Sequence, residues 1–311
     1  MENRRNFLAN SAKLGAVALL GTMGLANFSF GAEKGKNTKP KKDSQMQFVT
    51  LNNGIKMPIL GLGTSRLTGI DGQVAILQAI KVGYRLIDTA QMYGNEAEVG
   101  NAVAESGIDR SEFFITTKLS SNMTYNEVLK SFEDSMKKLQ LEYLDLLLIH
   151  RNYDNAKEMY RAMEQLHKDG RVKSLGISNF NAKAYAEFVK DCKVIPAVNQ
   201  CQTHIFYQQK ELRKAMQKSG TKLESWSPFI AGRKDFFNNA TLLKIAKKYN
   251  KTVAQVALRF LIQQGIIVIP KSSKVERLQE NFSVFDFKLS TGDIKTLTAM
   301  DKNESQFSWD S

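Results

Sequence analysis

Leu144-Asp145-Leu146-Leu147-Leu148-Ile149 is a six-residue run broken by a single charge, and it ends on His150. A strand this apolar has both faces covered, as in a parallel sheet packed between layers rather than an antiparallel sheet with one wet face. The same unit recurs in both directions. Leu60–Gly63, Tyr84–Asp88 and Phe113–Thr117 precede it, and Val172–Ile177, Ala197–Gln200, Lys222–Trp226 and Ile266–Ile269 follow. Between these runs the apolar spacing changes to 3.6 residues. Thr252–Gln264 sets Val253, Val256, Ala257, Phe260 and Leu261 on one stripe and opens with the capping box Thr252-x-x-Gln255. Ala156–Lys168 does the same with Met159, Ala162, Met163 and Leu166. Eight strands alternating with helices over roughly 250 residues predict an α/β fold, a (β/α)8 TIM barrel. Phe48–Leu51 and Ile55–Met57, joined across Asn52-Asn53-Gly54, predict an N-terminal β-hairpin ahead of it. The alternative is a doubly wound open sheet. It is disfavoured because Gly61-Leu62-Gly63 lacks the third glycine of a dinucleotide-binding turn.

The front of the chain reads as an address rather than as fold. Asn3-Arg4-Arg5-Asn6-Phe7-Leu8 precedes an apolar run beginning at Leu14 and continuing in small residues to Ala32. Paired arginines, a Phe-Leu step and an apolar run are the pattern of a twin-arginine export signal. The expected organisation is therefore a signal at residues 1–32, a linker at 33–45 and a barrel at 46–311. Export to the periplasm is expected, with a cytoplasmic location if the signal is inefficient. The Gly/Ala-rich run carries Asn27 and Ser29, so no membrane span is expected in the mature form.

The formal net charge of +13 raises the question of a polyanionic partner. Eight basic residues against Glu2, Glu33 and Asp43 fall in residues 1–45, and the rest of the excess is spread over amphipathic helices. With no recognition motif and no aromatic-basic interleaving, nucleic-acid binding is not expected. Cys192 and Cys201 give neither a disulfide framework nor metal-ligand spacing. Only His150, His167 and His204 are present and no His-x-His pair occurs, which argues against a metal-dependent barrel hydrolase.

In such a barrel, chemistry sits where the strands end on their C-terminal side. The strands end successively in Thr64, Asp88 with Tyr93 five residues on, Lys118, His150, Ser178-Asn179, Gln200, Trp226-Ser227 and Lys271-Ser272. Asp88 alone could be a helix cap, Lys118 a surface charge and His150 a core histidine; eight convergent strand ends argue otherwise. Reducing a carbonyl needs hydride on carbon and a proton on oxygen. A tyrosine hydroxyl, with a free pKa near ~10, needs tuning for that work. A neighbouring ammonium lowers it, a carboxylate keeps the buried ammonium charged, and a histidine can polarise the carbonyl.

The chain resembles the aldo-keto reductase family from about Gln47 to its end. The resemblance rests on Gly83-Tyr84-Arg85-Leu86-Ile87-Asp88-Thr89-Ala90-Gln91-Met92-Tyr93-Gly94-Asn95-Glu96, on Leu146–His150, on Gly176-Ile177-Ser178-Asn179-Phe180 and on Ile269-Pro270-Lys271-Ser272 with Arg277, Glu280 and Asn281. It implies Tyr93 as general acid/base with Asp88, Lys118 and His150 as partners, and NADPH as cofactor. It further implies that Ser178, Asn179 and Gln200 hold the nicotinamide carboxamide, with Thr64 and Ser227 in the cofactor site. Trp226 stands where the family usually stacks a tyrosine on the nicotinamide. Lys271, Ser272 and Arg277 match the group that grips the 2′-phosphate, and Asn281, with Glu280 beside it, would meet the adenine. Arg151 follows the histidine where the family often has an aromatic. Tyr160, His204 and Phe206 are candidates for the rim. A short connection after His150 and a short tail after Asp301 suggest an open pocket, like that of diketogluconate and methylglyoxal reductases. The partners expected are a small carbonyl substrate and at most one further copy of the chain, as a monomer or weak dimer. A redox-sensing, cofactor-loaded module is the alternative function.

Overall fold

The computed structural model describes residues 46–233, 235–305 and 307, so the expected signal and linker lie outside the described residues. The elements run β1 (Phe48–Thr50), β2 (Lys56–Pro58), β3 (Gly61–Gly63), α1 (Gly69–Val82), β4 (Leu86–Asp88), α2 (Glu96–Glu105), β5 (Phe114–Leu119), α3 (Tyr125–Leu139), β6 (Leu144–Ile149), α4 (Ala156–Lys168), β7 (Val172–Ser178), α5 (Ala182–Phe188), β8 (Val198–Gln202), α6 (Lys210–Met216), β9 (Lys222–Trp226), α7 (Ala240–Tyr249), α8 (Val253–Ile262), β10 (Ile267–Val268), α9 (Val275–Phe282) and α10 (Thr291–Thr298). Strands β3 to β10 form one eight-stranded sheet in sequence order, every pair parallel. A parallel bridge between Leu60 and Val268, with the Val268 N–H donating to Ile59 O at 2.9 Å, joins its two edges. The sheet thus closes into the expected (β/α)8 barrel.

Alternation along the strands sorts the side chains into two layers. Leu86, Phe114, Leu146, Leu148, Val198 and Ile267 fill the interior together with Leu51 and Met57 of the antiparallel β1–β2 hairpin. The hairpin turn is fastened to the barrel, for Asn52 Nδ2 donates to Pro196 O at 3.1 Å and Asn53 Nδ2 to Ser174 Oγ at 3.0 Å. Ile87, Ile115, Leu147, Ile149 and Ile177 face the other way, into the layer shared with the helices. The one charge in the deciding run, Asp145, is neutralised where it stands. It accepts from Arg110 Nη2 at 2.6 Å and from the Ile115 N–H at 3.0 Å.

Several strand boundaries differ from the expectation, and those of β5, β7 and β8 matter for the site. Tyr84 lies outside β4 because its hydroxyl is drawn to Leu278 O, 3.1 Å away across the α1–α9 layer. β5 continues through Lys118 to Leu119, whose ladder partners are Leu148 and Ile149. β7 includes Ser178, paired with Gln200, and β8 runs on to Gln202. Lys118, Ser178 and Gln200 are therefore held in ladders rather than in loops.

Candidate active site

On β4 the residue two beyond interior Leu86 is Asp88; on β5 the residue four beyond Phe114 is Lys118. Both consequently face the barrel interior. Lys118 Nζ donates to Asp88 Oδ1 at 2.5 Å and to Thr89 O at 2.8 Å, and its side chain is wholly buried. Tyr93 arrives from a 3₁₀ turn, Gln91–Tyr93, closed by Gly94 at φ 64°, a conformation glycine adopts without cost. Gln91 fastens the turn, donating to Ser131 Oγ and Ser135 Oγ while its Oε1 accepts from the Ser120 N–H. The Tyr93 ring stands with its centroid 5.0 Å from Lys118 Nζ and meets the His150 ring edge-on, centroids 5.7 Å apart. Tyr93, Asp88, Lys118 and His150 are thus brought together, as the sequence suggested.

The charges are set by burial and by each other. Burial raises the Tyr93 hydroxyl above its ordinary range, and the Lys118 charge works against that rise. Burial disfavours the Lys118 ammonium, yet the charge and hydrogen bond of the adjoining Asp88 carboxylate, together with Tyr93 and Glu224, outweigh it and raise the lysine. Desolvation, reinforced by the Lys118 and Arg151 charges, lowers His150 to about 3. Its imidazole is neutral at pH 7 and serves as a hydrogen-bonding group rather than a cation. The unfolded chain takes a proton that folded His150 refuses, so this residue's contribution to stability is present above about 6.5 and is lost as pH falls towards about 3. In a proton NMR titration the His150 ring resonances are expected to stay flat between about pH 5 and pH 8, where an ordinary histidine titrates. A midpoint inside that window would show a solvated imidazole.

The residues assigned to the cofactor share a second cluster. Ser178 Oγ donates to Gln200 O at 2.7 Å. Asn179, at φ 61° as asparagine tolerates, donates through Nδ2 to His150 O and Ser178 Oγ, and its Oδ1 accepts from the Trp226 indole at 2.8 Å. Gln200 stands in this cluster with one end of its amide already engaged. Its Nε2 is turned inward, donating to Asp88 Oδ2 at 2.7 Å and to Glu224 Oε2 at 2.9 Å. Thr64 is buried with its hydroxyl on Asp88 O, and Ser227 follows Trp226 at φ 53°.

At the far end of this cluster the exposed Lys271 is lowered by partial burial and by the charge of Arg66. Neither Arg66, Lys271 nor Arg277 has an acidic ion-pair partner among the described residues. Arg66 and Lys271, near enough for the charge of one to lower the other and without an acid paired to either among the described residues, fit a phosphate-bearing ligand. Ser272 is buried, its hydroxyl tied to the Lys274 backbone. Asn281 is buried on α9, while Glu280 accepts from the Thr252 hydroxyl at 2.6 Å and so locks α9 to the start of α8.

Some expectations are corrected. Tyr160 does not line the rim: it is buried against Phe188 with its hydroxyl on Val194 O, in the outer layer. The tail does not leave the mouth bare. Ser305 Oγ donates to Gln202 Oε1, and the Phe307 ring lies 5.3 Å from Trp226 beneath the Arg233 guanidinium. His204 is fully buried, with Nδ1 accepting from the Phe206 N–H. Sequence reasoning missed Glu224, Ser120, Asn95 and Arg66. Ser120 Oγ sits 3.0 Å from His150 Nδ1 and accepts from the Met92 N–H. Asn95 Nδ2 ties the β3–α1 loop down through Thr64 O and Leu67 O. Of these, Glu224 left a trace: a carboxylate two residues before Trp226, on the same side of its strand.

The aldo/keto reductase family model matches residues 60–302. The glyoxal reductase of Bacillus subtilis (strain 168) is 44% identical over 259 residues, spanning 82% of this chain and 93% of that protein. The morphine 6-dehydrogenase of Pseudomonas putida is 37% identical over 268 residues, spanning 81% of this chain and 90% of that one. An aldo-keto reductase from a Medee basin deep-sea metagenome library superposes with a TM-score of 0.81 at 44% identity, covering 84% of this chain and 97% of its own. A Bombyx mori aldo-keto reductase in complex with NADP does so with a TM-score of 0.78 at 33% identity, covering 84% and 94%. Barrel, strand-end chemistry and relatives agree: the chain belongs to the aldo/keto reductase family and is an oxidoreductase acting on carbonyl groups.

Proposed function

We propose that this protein reduces small aldehydes and ketones to alcohols with NADPH, Tyr93 serving as the proton donor. The observation that carries the reading is the Tyr93 ring set beside a buried Lys118–Asp88 ion pair and edge-on to a neutral His150. NADPH, when bound, supplies hydride to the carbonyl carbon. His150 orients the carbonyl oxygen by donating a hydrogen bond from Nε2. That tautomer needs Nδ1 to accept, which requires the Ser120 hydroxyl, 3.0 Å away, to turn its one hydrogen from Lys118 O to the ring. Tyr93 transfers its phenolic proton to the developing alkoxide, and the resulting tyrosinate is stabilised by the Lys118 ammonium. Solvent then returns the proton to Tyr93.

Ser178, Asn179 and Gln200 would hold the carboxamide and Trp226 would stack on the ring, with Thr64 and Ser227 alongside. Lys271, Ser272 and Arg277 would hold the 2′-phosphate, Arg66 adds a further cation, and Asn281 would face the adenine. A glyoxal reductase among the relatives favours small dicarbonyl compounds as substrates. The aromatic pair Trp226–Phe307 supplies an apolar wall for them. We further propose that Arg4-Arg5 and the following apolar run direct export of the folded, cofactor-loaded enzyme, and that it works as a monomer or weak dimer.

The reading is tested by following NADPH consumption by the purified protein over a panel of dicarbonyls, aldehydes and ketoses. Steady turnover of any of them supports it, and no turnover with nucleotide tightly bound would turn the assignment to a sensing module. Cofactor choice has its own test. Lys271→Ala is expected to raise KM for NADPH about tenfold, as loss of a charge-assisted hydrogen bond does, and to leave KM for NADH nearly unchanged. Equal effects on both would place the 2′-phosphate elsewhere.

A further inference from the structure

Glu224 lies wholly inside the barrel on β9, in register with Gln200 of β8, and its Oε1 meets no hydrogen-bonding partner among the described residues. A buried acid is a poor core filler, since an apolar residue of similar volume packs there without desolvating a carboxyl group. Its one hydrogen bond in the described structure is therefore informative. Gln200 Nε2 carries two hydrogens. One goes to Asp88 Oδ2 at 2.7 Å, the other to Glu224 Oε2 at 2.9 Å. We infer that Glu224 is a positioning residue: it fixes the Gln200 amide with its nitrogen turned into the barrel and its carbonyl oxygen turned towards the nicotinamide site. The inference rests on the cofactor reading above.

The orientation follows from charge. A flipped Gln200 would set its carbonyl oxygen against the ionised Asp88 carboxylate, which has no proton to offer it, whereas the amide nitrogen as placed donates to both acids. Asp88 alone would hold one N–H and leave the amide free to twist; the second acid removes that freedom. The same contact steadies Asp88, whose other oxygen receives Lys118. Glu224 thus closes a path from β9 through Gln200 and Asp88 to Lys118 and the Tyr93 ring.

The groups around this path are Asp88 from β4, Lys118 from β5, Gln200 from β8, and Tyr93. Lys118 is the only cation among them, and Asp88 already holds it. A second full negative charge would be uncompensated, and burial together with the Asp88 charge pushes Glu224 up to about 8. At pH 7 Glu224 is neutral, accepting on Oε2 with its proton on Oε1. Glutamine reproduces that arrangement: a carbonyl oxygen towards Gln200 and no charge.

The experiment uses the full-length protein and reads NADP+ affinity from the quenching of tryptophan fluorescence, beside kcat and KM for one reduced carbonyl. Glu224→Leu is expected to weaken NADP+ about tenfold, as for one lost hydrogen bond and its ordering of the amide. Glu224→Gln is expected to bind close to wild type. In a Gln200→Leu background, Glu224→Leu is expected to add nothing further to the loss of affinity. Glu224→Thr, suited to a strand but too short to reach Gln200, carries the same expectation should the leucine variant not fold. Unchanged NADP+ affinity in the leucine or threonine variant would overturn the inference while leaving the reductase standing. So would equal losses in the single and Gln200→Leu backgrounds. A wild-type protein that binds no nicotinamide nucleotide would overturn both.

Discussion

Tyr93→Phe is expected to lower kcat for carbonyl reduction by about 10²- to 10⁴-fold, the range that loss of a general acid costs. NADPH affinity is expected to stay near wild type. The substitution removes one oxygen and keeps the ring that meets His150 edge-on and lies beside Lys118. Among the described residues, the turn that carries the ring is held by the Gln91 side chain and not by the Tyr93 hydroxyl. Gln91, with its bonds to Ser131, Ser135 and Ser120, holds the turn in either variant. The loss should therefore appear in kcat, as it does when an interaction made in the transition state is removed. Single-turnover reduction monitored by NADPH absorbance separates the two quantities. Undiminished turnover would transfer the proton-donor role to another group, and a parallel loss of NADPH binding would make Tyr93 a packing residue.

Much of this site was legible because strand ends in a parallel barrel share one rim. The deciding run Leu144–Ile149 is apolar throughout except for Asp145, and the barrel covers both its faces as that composition demands. Asp88, Lys118 and His150 close three such runs, and alternation carries them inward. Less legible was anything set by contact between distant segments. Glu224 looks like an ordinary polar residue on a strand until Gln200, 24 positions away in sequence, is found donating to it. The amide of Gln200 read as a nicotinamide ligand, and only the fold shows its nitrogen already committed to Asp88 and Glu224. Tyr160 misled because its hydroxyl hinted at a rim, while the 3.6-residue spacing of α4 had already set it on the buried stripe with Met159 and Met163. The tail misled through length alone, for a short segment still reaches the mouth when Ser305 binds Gln202 and Phe307 lies against Trp226.

Lys118→Met is expected to destabilise the fold by about 3–5 kcal/mol, because it strands Asp88 as an uncompensated buried charge. At roughly 2–4 °C per kcal/mol for a domain of this size, thermal unfolding registers such a loss clearly. The sign with pH is fixed by the same reasoning. Without Lys118, whose charge and hydrogen bond lower it, desolvation leaves the Asp88 carboxyl raised further above its unfolded value. A carboxyl raised in the folded state contributes stability below its unfolded pKa and loses it as pH rises through the folded one. The deficit of Lys118→Met should therefore be small near pH 5 and grow towards pH 8, as measured by denaturant melts at both. Asp88→Leu combined with Lys118→Met removes both charges, and replacing a buried ion pair by apolar side chains is often neutral or stabilising. The double variant is accordingly expected to recover most of the lost stability and none of the lost turnover. Activity cannot return, since nothing remains to stabilise the Tyr93 phenolate once its proton has gone to the alkoxide. A double variant that regained reduction would mean that the ion pair serves the barrel alone. A single variant as stable as wild type at pH 8 would mean that Asp88 finds another cation.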